Sequence, residues 1–343
     1  MNKTILTLII TSISIQMMAQ EGRFFTSEQA IDWAPQLIAY NIEVIGEQND
    51  KGIKVTDEEN IEFLFLTDTE EKAQNLKAAL KEKYGYRLYK TYSLEGFWFV
   101  TGGTDKQFMQ FDTFNKLIFE IFKTGFDFDA KLLNWNVLDH QEAEKIDEFW
   151  NWFKNNQEEF YNLDHEKMDE LEMSFQKLDI QLKSLNESFT YEFSPVFENG
   201  KREFILSADG VRDVFPDLLD LFKRSPDLEK WEFIPFKQGF DEDPQLELNN
   251  GYKLSWDKVM FESEETDEGL SIDFYIEDYN EEDENFAMGL VMLLDWYLGE
   301  YDAVMQITYA DIHRLNRRKS NHLKEFKELK GVVEKYKKKK NKN

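Results

Sequence analysis

The chain contains no cysteine, only six prolines and only four histidines in 343 residues. Without a thiol there is no disulfide, no cysteine nucleophile, no cysteine-held metal and no lipidated cysteine anchor. His140, His165, His313 and His322 are scattered, and no two stand at the i, i+4 spacing of a helical zinc pair, so each reads as a surface or capping histidine. There is no Gly-x-Ser-x-Gly elbow, no phosphate-binding loop and no dinucleotide fingerprint; Gly102-Gly103 is a lone pair after a strand and reads as a turn. Basic residues are also short: 41 Lys and Arg face 68 Asp and Glu, a net charge of −27. The thirteen Lys and Arg against three Glu from Arg314 to Asn343 make a local net of +10, which leaves −37 on residues 1 to 313. A body that acidic repels phosphates, which excludes direct nucleic-acid binding by it. Nothing in these absences leaves a catalytic residue, a metal ligand set or a cofactor to name, and the chain reads as a non-enzyme.

Aromatics, in contrast, are plentiful, with 30 Phe, 14 Tyr and 8 Trp, far too many for a disordered acidic chain. The most ordered pattern runs from Asn60 to Val137. Ile61 to Leu66 is a short apolar strand ended by Thr67-Asp68-Thr69, and Ala73, Leu76, Ala79 and Leu80 repeat at helical spacing over 70–83. Tyr84-Gly85 stops that helix. Tyr86 to Tyr92 and Phe97 to Thr101 read as strands around a Ser93-Leu94-Glu95-Gly96 hairpin. Phe111, Phe114, Leu117, Ile118, Ile121 and Phe122 form the face of a second helix over 111–123, and Phe126-Asp127-Phe128-Asp129 alternates like a strand leading to Trp135. The order is β-α-β-β-α-β, a ferredoxin-like split unit predicted to make one four-stranded antiparallel sheet with both helices on one face.

That stretch resembles the regulator of ribonuclease activity B family, the ribonuclease E inhibitors. The likeness rests on Phe63-Leu64-Phe65 entering Thr67-Asp68-Thr69-Glu70-Glu71-Lys72-Ala73, on Tyr84-Gly85-Tyr86, on Gly96-Phe97-Trp98-Phe99-Val100-Thr101, and on the long helix followed by Phe126-Asp127-Phe128-Asp129 and a tryptophan. It covers about a quarter of the chain, and its end departs from the family pattern, because four residues separate Ala130 from Trp135 where the family tends to a tyrosine-aspartate-glycine-tryptophan segment. The resemblance implies a protein that binds a nuclease's regulatory region and slows RNA decay without catalysis of its own.

Around this unit the chain divides into four parts. Met1 to Gln20 has Lys3, an apolar Ile/Leu core and Ala19-Gln20, the pattern of a signal peptide at 1–20 with the mature chain starting near Glu21. The ferredoxin-like domain is assigned to 24–138. A second α+β domain at 139–315 opens with two helices (140–161 and 164–185) and continues with strands 189–193, 204–207, 231–236, 252–261 and 270–276, helices 211–223 and 286–298, and a last strand near 303–312. Glu198-Asn199-Gly200-Lys201 is its hairpin turn. Ser207-Ala208-Asp209-Gly210 and Leu298-Gly299-Glu300-Tyr301-Asp302 stand out as motifs with no function attached. Glu262 to Glu284 holds twelve acids and no Lys or Arg, yet lacks the order of a calcium loop, so it reads as solvated. Residues 316–343 read as a basic helical tail, solvated or in weak contact with an anionic surface.

The fold class is therefore α+β: a ferredoxin-like domain, a second α+β domain and a basic helical tail. The leading function is a non-enzymatic protein-binding or regulatory module, exported to a periplasmic or extracellular space, with an unknown protein partner. Two alternatives remain: an intracellular (cytoplasmic) regulator of RNA decay whose partner is a ribonuclease, and a carboxylate-dependent hydrolase in the second domain. The candidate contact residues are Trp98, Val100, Phe128 and Trp135, with Trp98 and Val100 expected on the sheet face away from the helices, although large aromatics are more often simply buried.

Overall fold

The computed structural model describes residues 23–84, 90–94, 96–163 and 168–340. The signal-peptide expectation at 1–20 and the start of the predicted strand at Tyr86 lie outside them. The protein is mixed α+β and divides into two compact units, residues 1–144 and 145–343.

In the first unit, β1 (Ile61–Thr67), β2 (Lys90–Leu94), β3 (Phe97–Gly103) and β4 (Lys131–Val137) form one sheet in the order β2-β3-β1-β4, every pair antiparallel. Ile61, Phe63, Phe65 and Thr67 are buried while the residues between them are half-buried, so β1 has an inner face that meets Ala73, Leu76 and Leu80 of α2 (Glu70–Tyr84) and Phe114, Ile118, Ile121 and Phe122 of α3 (Phe111–Asp127) in one core. Gly102 and Gly103 end β3 inside the sheet, Gly102 opposite Phe63, and make no turn there. The predicted strand at 126–129 is corrected. Phe126 and Asp127 close α3, because Phe126 continues the helical series Phe114, Ile118, Phe122 that the two-residue alternation disguised. The chain then turns at Asp129, whose φ is 59°, and the Ala130 N–H returns to the Gly125 carbonyl at 2.8 Å.

A helix absent from the sequence reading, α1 (Ser27–Asp50), completes this unit. A Thr26–Gln29 capping box starts it, and Pro35 lies within it. It lies against α3 and β4. The Trp135 indole N–H donates to Asn41 Oδ1 at 2.7 Å, the Trp33 N–H to the Leu132 carbonyl at 3.1 Å, and the Tyr40 hydroxyl bonds Asn134 at 2.9 Å.

The start of the described chain is fastened by Asp129. Its carboxylate accepts the N–H groups of Phe24 at 3.0 Å and Phe25 at 2.9 Å, and pairs with Lys72 at 2.8 Å and Arg23 at 3.3 Å. Partial burial opposes ionisation, but the Lys72 ammonium and the two backbone donors outweigh it and hold the carboxyl below its ordinary value of 3.8. A depressed carboxylate stabilises the fold above its unfolded pKa and loses that contribution as pH falls through the folded one. Asp129→Asn is expected to cost about 1–2 kcal/mol at pH 7 and to flatten the acid limb of urea denaturation in the window below about pH 4. A variant whose stability follows wild type through that window would count against this role.

Among its described residues the second unit has two larger sheets and a two-stranded ladder of Leu246–Glu247 with Lys253–Leu254. Helix α4 (His140–Tyr161) contributes its residues from Lys145 onward, followed by α5 (Met168–Lys183). Then β5 (Thr190–Phe193), β6 (Arg202–Ser207) and β7 (Trp231–Pro235) form the order β5-β6-β7, with α6 (Phe215–Lys223) between β6 and β7. The β5–β6 pair is an antiparallel hairpin over Gly200 (φ 76°), and β6–β7 is parallel. Trp150, Phe153, Phe160, Phe204 and Trp231 pack as a buried aromatic cluster. The second sheet has the order β10-β9-β8-β11: β8 (Val259–Glu265), β9 (Leu270–Ile276), β10 (Ile307–Arg314) and β11 (Lys324–Glu325). Its inner face holds Phe261, Ile272, Phe274 and Ile276 against α7 (Asn285–Leu298) and α9 (Leu329–Lys340).

Three expectations change here. Residues 303–306 belong to a short helix α8 (Glu300–Gln306), not to the last strand. The predicted strand 252–261 is interrupted by a 3-10 turn at Trp256–Lys258. The basic tail is no appendage: Phe326, Leu329, Val333 and Tyr336 sit in the second core, and Lys337 is buried between Asp302 at 2.8 Å and Glu334 at 3.1 Å.

Candidate functional site

Of the four predicted contact residues, the structure keeps two inside. Val100 is fully buried and Trp135 is 2% exposed beneath α1; Trp98 and Phe128 are half-buried against the same core. Trp98 pairs with Thr67 and Val100 with Phe65, so both lie on the helix-covered face, opposite to the expectation. Phe97 and Phe99 have the other face, where Phe99 stacks on Tyr92 at 5.2 Å and Phe97 meets Phe24 at 5.8 Å. The alternation of the strand was correct; which of its two faces the helices cover is decided by α1, α2 and α3, beyond what local pattern records.

The two unexplained motifs come together. Glu300 is fully buried; its Oε1 accepts the N–H groups of Ala208 at 2.9 Å and Gly210 at 3.1 Å, and its Oε2 that of Lys237 at 3.2 Å. Gly299 makes this possible: its φ is 85°, and a Cβ there would lie 2.9 Å from the Gly239 nitrogen. The carboxylate is satisfied entirely by backbone, so it ties the β6 end to the α7–α8 corner and is not presented to a ligand.

Part of the acidic run 262–284 is likewise engaged. Glu262 accepts the Tyr275 hydroxyl at 2.5 Å, Glu265 meets Lys339 and Glu277 meets Arg317 at 3.2 Å. On the outward side of β9 and β10, Asp273, Asp311 and His313 bring three potential ligand atoms within 4.8 Å. His313 Nε2 already contacts Asp273 at 3.0 Å, and all three side chains are open to water.

An open apolar surface lies on α7. Phe286, Leu290, Leu293, Leu294 and Tyr297 fill the core. On the opposite side Met288 (59% exposed), Val291 (58%), Met292 (51%) and Trp296 (37%) form an i, i+3, i+4, i+8 stripe, extended by Phe240 at 4.6 Å from the Trp296 ring. A helix apolar all round is normally surrounded by protein, and contiguous exposed apolar residues mark an interaction site. The rim is acidic: Asp241, Glu242 and Asp243 lie beside Phe240, whose neighbour Trp296 donates its indole N–H to the Glu242 carbonyl at 2.7 Å, and Glu281, Glu282, Asp283 and Glu284 precede the helix. From Glu277 to Glu300 there is no Lys or Arg. Asp295, on the stripe side of α7, is half-buried; burial pushes its carboxyl up to about 6, with Lys237 opposing and Glu300, Asp209 and Glu192 adding to the rise. The sequence carried a trace of this surface, since Phe286 to Leu298 has apolar residues on every side and one charge, but that reads equally as a wholly buried helix.

Comparison with known proteins adds no relative: no protein-family model matches the chain, and no curated protein matches it.

Proposed function

We propose that this chain is a non-catalytic protein-binding module, and that its contact surface is the bare side of α7, which takes a basic amphipathic helix of a partner protein. The observation that carries the reading is the exposed Met288–Val291–Met292–Trp296 stripe with Phe240. Methionine-rich faces accommodate varied apolar partners, and a tryptophan at the centre of such a face is the residue type in which binding energy concentrates. The acidic rim and the overall charge of −27 select a cationic partner and speed its approach. The strand order of the first unit supports a ferredoxin-like assignment, and with it the likeness to the ribonuclease E inhibitors, which also act by binding. The apolar segment at Ile5 to Ile15 favours export, in which case the partner is not that nuclease.

The test is a labelled synthetic amphipathic helix of leucine and lysine, titrated into the full chain, beside its leucine and glutamate counterpart. The lysine peptide is expected to bind and the glutamate peptide not. Trp296→Ala should weaken binding by about 2 kcal/mol, roughly thirtyfold, with the melting transition retained. Because Asp295 titrates near 6 it is charged at pH 7.5 and mostly neutral at pH 5, so affinity for the lysine peptide should be lower at pH 5. Equal binding of both peptides, or an unchanged affinity in Trp296→Ala, would sink the proposal.

A further inference from the structure

Arg202 is the first residue of β6 and is 7% exposed, so a guanidinium, charged at any physiological pH, sits inside the second unit. Buried charges are ordinarily paired with an opposite charge. Here the partners are carbonyls alone. Nε donates to Ser194 at 2.8 Å, and Nη1 donates to Phe160 at 2.9 Å and Tyr161 at 3.0 Å, the last carbonyls of α4. The negative end of the helix dipole compensates part of the charge. Among the described residues no carboxylate pairs with Arg202, and Nη2 has no hydrogen-bond partner. The ring of Phe193 covers one side of the guanidinium, 5.5 Å from Cζ. Desolvation accordingly lowers the pKa of Arg202 from its ordinary value, the mark of a cation short of counter-charge.

This guanidinium lines a cleft of about 510 Å³ between α5 and β5, open on one side. Its walls are the half-buried rings of Phe175, Tyr191 and Phe193, and Lys183 stands exposed at the rim. The volume is that of a small-molecule site, and the lining combines aromatic walls with one buried polar anchor. Two acids also line it. Burial, with Asp179 adding to it, pushes the Tyr191 hydroxyl above its ordinary value, and Glu192 is exposed at the edge strand. They set a limit on the ligand: a second negative charge would be repelled, so a monoanion is favoured over a dianionic phosphate.

We propose that this cleft is a binding site for a small monoanion with an apolar or aromatic body, a carboxylate-bearing metabolite, its acid group on Arg202 and its body between Phe175, Tyr191 and Phe193. The site is separate from the α7 surface, and its occupancy does not depend on the protein-binding reading.

The test is a titration of 4-phenylbutyrate into the full chain, followed by calorimetry and by ¹H–¹⁵N shifts including the Arg202 Nε–H. The neutral isostere 4-phenylbutanol and phenyl phosphate are run beside it. Saturable one-to-one binding of the carboxylate is expected, with shifts at Arg202, Phe175, Tyr191 and Phe193. The alcohol should bind at least tenfold more weakly and the phosphate more weakly than the carboxylate. Lys183→Glu, at an exposed position, should weaken the carboxylate severalfold, and Arg202→Gln should abolish the preference for it over the alcohol. If Arg202→Gln fails to fold, the carboxylate-to-alcohol ratio in the wild-type chain decides alone. Equal affinities for the carboxylate and alcohol, or shifts confined to other parts of the chain, overturn the proposal.

Discussion

Removal of residues 321–343 is expected to unfold the second unit instead of trimming a loose end. Lys324 and Glu325 pair with Phe261 and Met260, so the cut strips one flank of β8. Phe326 and Leu329 are fully buried, and Val333 and Tyr336 nearly so, with Phe326 against Tyr297 at 5.5 Å and Phe274 at 6.4 Å. The Tyr297 hydroxyl also loses its acceptor, the Lys327 carbonyl at 2.5 Å. Burying a large apolar side chain is worth about 1.5–3 kcal/mol, so four of them amount to roughly 6–12 kcal/mol before any cavity cost. That is comparable with the whole stability of a domain, about 5–15 kcal/mol. The truncated chain should lose the cooperative melting transition of the second unit and become protease-sensitive across 241–320, while a chain ending at residue 338 should melt within a few degrees of wild type. A cooperative transition surviving the longer cut would show that these residues are dispensable cover.

This tail illustrates where local pattern stops being informative. Its composition, with four successive lysines at 337–340, reads as solvated, yet Val333 and Tyr336 lie three residues apart on one helical face and Lys337 finds Asp302. The apolar half of that helix was present in the sequence but outweighed by charge that the acidic body neutralises from a distance in sequence. The same limit hid α1: Ser27 to Asp50 mixes Gln, Asn and acids with its apolar residues, and its buried Asn41 is explained only by Trp135 and Asn115, 94 and 74 positions away. What local pattern does determine came through. The alternation in β1, the helices beginning at Glu70 and Phe111 and the hairpin over Asn199-Gly200 each depend on neighbours within four residues. The candidate site was the least legible part, because exposure of α7's outer side is a property of the whole unit. Phe97 to Val100 failed for the same reason, its alternation being compatible with either face.

Glu300→Ala should be strongly destabilising, although it removes a carboxylate from a protein of net charge −27 and so relieves repulsion. The relief is small, since each surface acid contributes at most a few tenths of a kcal/mol in screened solvent. Against it stand three N–H groups left without acceptors, buried at Ala208 and partly buried at Gly210 and Lys237. An orphaned buried donor costs about 1–3 kcal/mol, less where water enters the space left by the side chain, which gives a net loss of about 3–5 kcal/mol by urea denaturation. Glu300→Gln separates geometry from charge. Its carbonyl oxygen can still accept from Ala208 and Gly210, but its amide then turns a donor toward the Lys237 N–H, so about half the loss is expected. The two local strains beside it, Asp209 at φ 50° and Gly299 at φ 85°, are tolerated because the carboxylate holds both loops at once. Removing it should therefore raise hydrogen exchange at Ala208, Gly210 and Lys237 together, in step with one another. If Glu300→Ala loses under 1 kcal/mol, or if exchange rises at one loop and not the other, the carboxylate does not tie the two segments, and their conspicuousness in the sequence has another cause.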